Sequence, residues 1–328
     1  MKKIFYIFFF LLFLPEIVLF FATWYFSTEI IDFKKKTLEE DKKRLNIESV
    51  NDFGLPSPQE VNIPSDNITL SGWLFLNPNA KKKCGVIITH GHSGTRYGAL
   101  KYTPLFWKRG CDLLLYEHRT HGKSGGKFAT YGYYEKFDML SVVKYLSSKA
   151  GISENKIGIM GESYGAATSL MAASLNEDLA FVAADSPYSD LETIITERGV
   201  HLYGERLKFL VPFAMVLASH RADFNYEEVS PQKSAKKINI PVFLSHSIDD
   251  NYTKIYHSEN IFKNISHSKK VFHKTDWGAA HGKSINTNFK KYDEQMNEFL
   301  EKYTIGFELL ETIENHESIE KENNKVIQ

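Results

Sequence analysis

The strongest chemical signal in this 328-residue chain is a serine set between two glycines, Gly161-Glu162-Ser163-Tyr164-Gly165. A serine hydroxyl becomes a nucleophile only where a base takes its proton and the backbone presents it to a substrate. The flanks of the motif supply such a presentation. Ile157, Ile159 and Met160 form a short β-prone run before it, and the Ala-, Leu- and Met-rich stretch from Ala166 to Leu175 consists of good helix formers. At a strand-to-helix corner of this kind the side chain of Ser163 projects above the sheet, and the first N–H groups of the new helix point toward it. A structural serine between two packing glycines is the bland alternative, and the flanks weigh against it.

A serine nucleophile needs a general base, and the base needs an acid that fixes its tautomer. Both follow Ser163 in the chain. The predicted strand 240–245 runs into Ser245-His246-Ser247-Ile248-Asp249-Asp250, and the predicted strand 269–273 is followed by a loop that carries His281 just before the last helix. Among 12 histidines, that position singles out His281 as the base. Asp249 and Asp250 are both candidates for the acid, with Asp250 preferred. Acyl transfer also builds up an oxyanion, which preorganised backbone N–H groups stabilise. The expected donors are the N–H of Tyr164, next to the nucleophile, and that of His92 in the loop His90-Gly91-His92-Ser93-Gly94.

Other residues of reactive type carry less weight. Glu162 is expected to make a structural hydrogen bond. The pairs His90/His92 and His118/His121 have the side chains of metal ligands but lack a third and fourth partner, so no metal or organic cofactor is implied.

These residues need a scaffold. Candidate strands fall at 59–63, 68–76, 84–89, 111–116, 156–160, 181–184, 240–245 and 269–273. Helices are expected near 98–109, 134–149, after Ser163 and over 284–302. Short apolar strands alternating with helices imply an α/β architecture, a mostly parallel sheet covered on both faces. Ligands bind such sheets beyond the carboxyl ends of the strands, where every polar loop named above falls. Residues 190–236 are too long for a simple crossover and include the apolar run from Phe209 to Ala218, which suggests an inserted helical cap.

The N-terminus is apolar or aromatic from Ile4 to Phe26 apart from Pro15, Glu16 and Thr23. As a helix these residues span roughly 35 Å, enough for a hydrocarbon core of about 30 Å. Trp24 and Tyr25 at one end and Tyr6 near the other fit interfacial belts. Glu16 is costly there, about 3 kcal/mol if charged. No small-x-small cleavage site follows, so residues 1–26 read as an uncleaved anchor rather than a signal peptide. Lysines flank the segment on both sides, and the balance leans slightly to a catalytic domain outside the cytoplasm. Residues 27–58 read as a charged helical or loose stalk, 59–303 as the globular domain and 304–328 as a charged tail.

Lys+Arg and Asp+Glu each number 40, giving no net charge, and no basic stripe with interleaved aromatics suggests nucleic-acid binding. The two cysteines, Cys84 and Cys111, each precede a predicted strand. They come close if those strands are parallel neighbours, but are expected to be two small buried thiols.

Five ordered motifs carry a resemblance. His90-Gly91-His92-Ser93-Gly94, Glu117-His118-Arg119-Thr120-His121-Gly122-Lys123-Ser124, Gly161–Gly165, His246-Ser247-Ile248-Asp249-Asp250 and the late His281 are similar to the motif series of the α/β-hydrolase superfamily. The likeness covers about residues 59–302 and is nearest to bacterial lysophospholipase-like and serine-aminopeptidase-like members with a short helical cap. Two motifs depart from the family pattern: Glu117 and Thr120 stand where Asp and Gly are usual, and Ser247 stands for Gly. The resemblance selects Asp250 as the acid, makes the loop after Asp185 a pocket wall, and implies a catalytic serine hydrolase without cofactor. The expected substrate is a small-molecule or lipid ester, given the apolar cap and the tether. Peptide or amide hydrolysis is the alternative chemistry, and a catalytically silent, membrane-tethered binding module is the alternative of another class.

Overall fold

A computed structural model describes residues 2–79 and 84–310. The segment read as a charged tail lies outside the described residues from 311 onward, and so do the side chains at the start of the apolar segment, Tyr6 included.

Eight strands form one sheet: β1 (Gln59–Ser65), β2 (Ile68–Phe75), β3 (Gly85–Thr89), β4 (Asp112–Tyr116), β5 (Ile157–Glu162), β6 (Phe181–Asp185), β7 (Val242–Ser247) and β8 (Lys270–Thr275). Their order is β1-β2-β4-β3-β5-β6-β7-β8. β1 and β2 pair antiparallel, β2 meets β4 antiparallel, and every other pair is parallel. This is the α/β-hydrolase architecture that the motifs led one to expect. The chain leaves β3 toward β4 but returns to place β5 on the other side of β3. The loops after β3 and β5 therefore diverge at the switch point where such sheets bind ligands.

Helices are α1 (Lys2–Ile31), α2 (Leu38–Arg44), α3 (Arg96–Ala99), α4 (Thr103–Trp107), α5 (Glu135–Ala150), α6 (Tyr164–Ala173), α7 (Leu191–Tyr203), α8 (Val211–Ala222), α9 (Pro231–Ser234), α10 (Tyr256–Asn264), α11 (Ser284–Thr287) and α12 (Phe289–Tyr303). Side chains alternate across a strand, so each buried strand feeds two cores. Ile87, Leu114, Ile159 and Val182 pack with α5 and α6 on one face. Val86, Ile88, Met160 and Phe243 pack with α4 and α12 on the other. The helix expected over 98–109 is broken into α3, a 3-10 turn and α4, with Pro104 in the first turn of α4.

Cys84 and Cys111 form a disulfide, which corrects the expectation of two free thiols. The cause is register. Gly85 pairs with Asp112 in the parallel β3–β4 ladder, so the residues just before them also lie side by side, with Cα atoms 4.5 Å apart.

At the N-terminus, α1 is 30 residues long, and within it Phe13–Ile31 is long and apolar enough to cross a membrane. Phe20, Phe21, Trp24 and Tyr25 are exposed, whereas Ser27, Ile30 and Ile31 are buried against the body. Arg221 of α8 fixes this end, donating to Ser27 Oγ (2.6 Å) and Thr28 Oγ1 (2.7 Å) with its guanidinium over the Trp24 ring.

The charged residues that follow do not form a free stalk, because their polar groups find partners on the body. Thr37 and Glu40 cap α2 reciprocally. Asp41 is buried and accepts from the Thr95 N–H (2.8 Å), the Thr95 hydroxyl (2.9 Å) and Arg44. The Lys36 N–H donates to Ser93 O (3.1 Å), and the Ser93 hydroxyl donates to Lys34 O (2.8 Å). This segment is thereby tied to the loop after β3.

Candidate active site

Ser163 occupies the turn between β5 and α6 with φ 52° and ψ −111°, a conformation that costs a non-glycine residue about 1–3 kcal/mol. Its neighbours explain how it is held. A Cβ on Gly161 would fall 2.3 Å from the Gly165 carbonyl carbon, and one on Gly165 would fall 2.6 Å from the His90 oxygen. Only glycines let strand and helix approach so closely. The Ser163 N–H donates to Asp185 O at the end of β6 (2.7 Å), which pins the turn from below.

The Ser163 hydroxyl donates to His281 Nε2 at 2.7 Å. His281 Nδ1 donates to Asp250 Oδ2 at 2.6 Å, which sets the imidazole tautomer. Asp250 is buried at the end of β7, whereas Asp249 points to solvent. The other oxygen of Asp250 accepts from the N–H groups of Tyr252 and Thr253, each at 2.9 Å. His246 Nε2 donates to Thr253 O (2.7 Å) and lies 3.2 Å from Asp250 Oδ2. Burial alone would raise the Asp250 pKa. Hydrogen bonds from His246 and His281, and then the charge of His281, win and hold the carboxyl well below its usual range.

The loop after β3 faces the serine. Tyr164 is the first residue of α6, so its N–H has no intrahelical acceptor. The ring of His92 lies 6.2 Å from that of Tyr164. Burial, and then the charges of Lys36 and Lys35, push the His92 pKa down to about 3, so its ring is neutral. It interacts with the Tyr131 hydroxyl (3.2 Å) and stacks on Phe33, with centroids 3.8 Å apart.

The remaining sequence candidates have structural partners. Glu162 pairs with Lys101 at 2.6 Å. The Asp185 carboxylate is buried under the site, where it accepts from Tyr102 and Ser186 (2.9 Å each), while Tyr188 in the loop that follows lines a cleft beside Ser163, as expected of a pocket wall. Burial raises its pKa. His90, His118 and His121 form a buried group whose pKa values burial lowers. Among the described residues, no group of three or more His, Cys, Asp or Glu is placed to hold a metal ion. The departures in the second motif are accommodated locally. Glu117 is long enough to hold the buried Arg96 with both oxygens, and Thr120 adopts the positive φ (67°) that usually favours glycine.

Two clefts meet at Ser163. An apolar one of about 210 Å³ is lined by Phe26, Ile30, Leu202, Leu207, Leu210 and Val211 among others. A polar one of about 530 Å³ is lined by Lys36, Arg44, Lys101, Glu162 and Lys283. His92, Tyr252 and Ser163 border both. Several of these residues lie in no motif. Tyr252 stacks on His281 at 4.8 Å, and the Arg198 guanidinium lies 3.8 Å from the Tyr252 ring centroid. Only its position two residues after Asp250 hints at Tyr252. Phe26, Phe33 and Lys36 carry no hint, because they are more than 120 residues from Ser163 in sequence.

The Bacillus subtilis protein YqkD is 34% identical over 218 residues, covering 66% of this chain and 70% of that one. A Saccharomyces cerevisiae protein described as an uncharacterized membrane protein is 27% identical over 137 residues, covering 42% and 47%. An esterase of Pyrococcus furiosus superposes with a TM-score of 0.63 and 25% identity, over 78% of this chain and 95% of the esterase. The profile of the prolyl oligopeptidase family matches residues 103–306, from the start of α4 to just beyond α12. The chain belongs to the prolyl oligopeptidase family and is a serine hydrolase of the α/β-hydrolase fold.

Proposed function

We propose that the protein is a membrane-tethered serine esterase that cleaves acyl esters through an acyl-enzyme. The observation that carries this reading is the apolar cleft that opens directly onto Ser163. In the reaction Ser163 Oγ attacks the acyl carbonyl carbon while His281 Nε2 takes its proton. The Tyr164 and His92 N–H groups receive the charge that develops on the carbonyl oxygen. His281 returns the proton to the leaving oxygen as the C–O bond breaks. Water, deprotonated by the same imidazole, then frees the acid. Asp250 keeps His281 in the productive tautomer and stabilises its charged form.

The similarity to an esterase over nearly its whole length supports ester chemistry. α7 and α8 act as a cap whose apolar residues receive the acyl chain, as expected of the lysophospholipase-like branch. The membrane tether is supported by the apolar helix Phe13–Ile31 and by the yeast relative described as a membrane protein. The Cys84–Cys111 disulfide supports an oxidising compartment, hence a catalytic domain outside the cytoplasm.

A peptidase reading has one observation in its favour, the name of the matched family. Hydrolysis of p-nitrophenyl esters of increasing chain length, set beside aminoacyl anilides, separates the two. The esterase reading requires the esters to be cleaved with higher kcat/KM, rising with chain length up to the capacity of the cleft. A preference for anilides would reverse the assignment, and absence of Ser163-dependent fluorophosphonate labelling would remove both.

A further inference from the structure

The polar cleft on the other side of Ser163 has a charge pattern that the proposed ester chemistry does not explain. Four cations line it: Lys36 and Arg44 from the segment after α1, Lys101 from the turn between α3 and α4, and Lys283 two residues after His281. Two of them are neutralised within the protein. Lys101 pairs with Glu162 at 2.6 Å, and Arg44 pairs with Asp41 at 2.7 Å. The ammonium groups of Lys36 and Lys283 have no carboxylate at ion-pair distance among the described residues, although both side chains are half-buried. In a chain with no net charge, two unpaired cations beside a nucleophile are a local excess.

The strain of that arrangement is visible in the lysines. Burial lowers the pKa of each. The next contribution is a neighbouring cation, Arg44 for Lys36 and Lys101 for Lys283. An anion in the cleft would relieve both effects.

Position indicates which part of a substrate meets these charges. The acyl chain occupies the apolar cleft on one side of Ser163, so the leaving group must occupy the polar cleft on the other. We infer that Lys36 and Lys283 form an anion subsite for the leaving group, and that the substrate is an acyl ester or thioester whose leaving group carries a phosphate. The subsite rests on the acyl-ester reading of Ser163. It also gives the end of α1 and the segment after it a role in substrate choice, since Phe26 and Ile30 wall the acyl side and Lys36 the leaving-group side. When His281 protonates the leaving oxygen or sulfur, the phosphate departs with its alcohol or thiol, still bound by the two lysines.

The test uses the full chain in nonionic detergent with monolauroylglycerol, lauroylglycerol 3-phosphate and lauroyl-coenzyme A. At least one phosphate-bearing substrate is expected to exceed the neutral ester tenfold or more in kcat/KM, and which one does so identifies the source of the phosphate. In the double variant K36Q/K283Q that preference should collapse through KM, while K36R/K283R retains it. Equal or better turnover of the neutral ester by the wild type would overturn the subsite, and so would a preference unchanged in K36Q/K283Q. If none of the three is cleaved although fluorophosphonate labels Ser163, the ester reading fails by itself. The subsite is then judged by dodecyl phosphate, which should slow labelling of the wild type and not of K36Q/K283Q. Equal slowing of both overturns it.

Discussion

Phe33 lies flat on His92, with ring centroids 3.8 Å apart and planes 29° from parallel. Phe33 comes two residues after the end of the apolar helix, and His92 belongs to the loop that faces Ser163. The segment after the apolar helix and the loop beside Ser163 thus share one stacked contact. The order of the loop depends on a residue 130 positions from Ser163, so the chain just after α1 belongs to the same packed unit as the candidate site.

Phe33→Ala should therefore impair both stability and turnover. Phe33 is only 6% exposed, and truncating a buried phenylalanine costs about 3–5 kcal/mol. The melting temperature should fall by several degrees and kcat/KM on a medium-chain p-nitrophenyl ester by about tenfold, since a loosened His92 loop presents its N–H less well. Phe33→Leu should recover most of the stability and less of the rate. Wild-type turnover by Phe33→Ala would show that the loop holds its shape unaided.

The two adjacent aspartates should behave oppositely. Asp250→Asn keeps the shape but removes the charge that orients His281, and such a change costs about 10⁴-fold in kcat in comparable triads. Asp249 is exposed and makes no contact with His281, so Asp249→Asn should stay within about twofold of the wild type. Steady-state kinetics on one ester separates them, and similar losses in both would displace Asp250 from its role.

Reduction of the disulfide should destabilise the body without touching the site. Cys84 and Cys111 are 27 residues apart, and closing a loop of that size is worth about 3.5 kcal/mol in chain entropy. Dithiothreitol, or the pair C84S/C111S, should lower the melting temperature while the oxidised and reduced forms label equally with fluorophosphonate at 25 °C. An unchanged melting temperature would mean that the β3–β4 register supplies the stability alone.

Much of this molecule is written locally. Alternating apolar strands and helices give the sheet because each strand carries its own burial pattern. The Ser163 corner is legible because Gly161 and Gly165 are forced by close backbone approach. His281 and Asp250 follow from their places at strand ends, where the sheet converges its loops. What the sequence hides is long-range. The pairing of Cys84 with Cys111 depends on the β3–β4 register, which no single strand encodes. The docking of Phe33, Lys36 and Asp41 on the β3 loop depends on where a charged segment finds partners, and charge composition read as a solvated stalk because its hydrogen-bond partners lie 54 or more residues away in sequence. Thr120 tolerates a positive φ that its residue type does not announce.

Acid should weaken the fold in two separable windows. His90, His118 and His121 are wholly buried, and burial lowers their pKa values; that of His92 falls to about 3. In the unfolded chain each binds a proton near pH 6.5. Below that pH the unfolded state holds more protons than the folded one, so stability declines as pH drops, by up to about 1.4 kcal/mol per pH unit for each histidine. Asp250 acts lower down. Its folded pKa lies beneath its unfolded value of about 3.9, so its contribution is complete above that value and lost only as pH falls further. Urea unfolding between pH 7.5 and 4.5 should show a free energy that falls steadily with acidity, and His118→Gln should flatten the slope by close to one proton even though it lowers stability at pH 7.5. A free energy constant from pH 7.5 to 5 would mean that these histidines are protonated alike in both states, and that burial does not keep the rings behind the serine neutral.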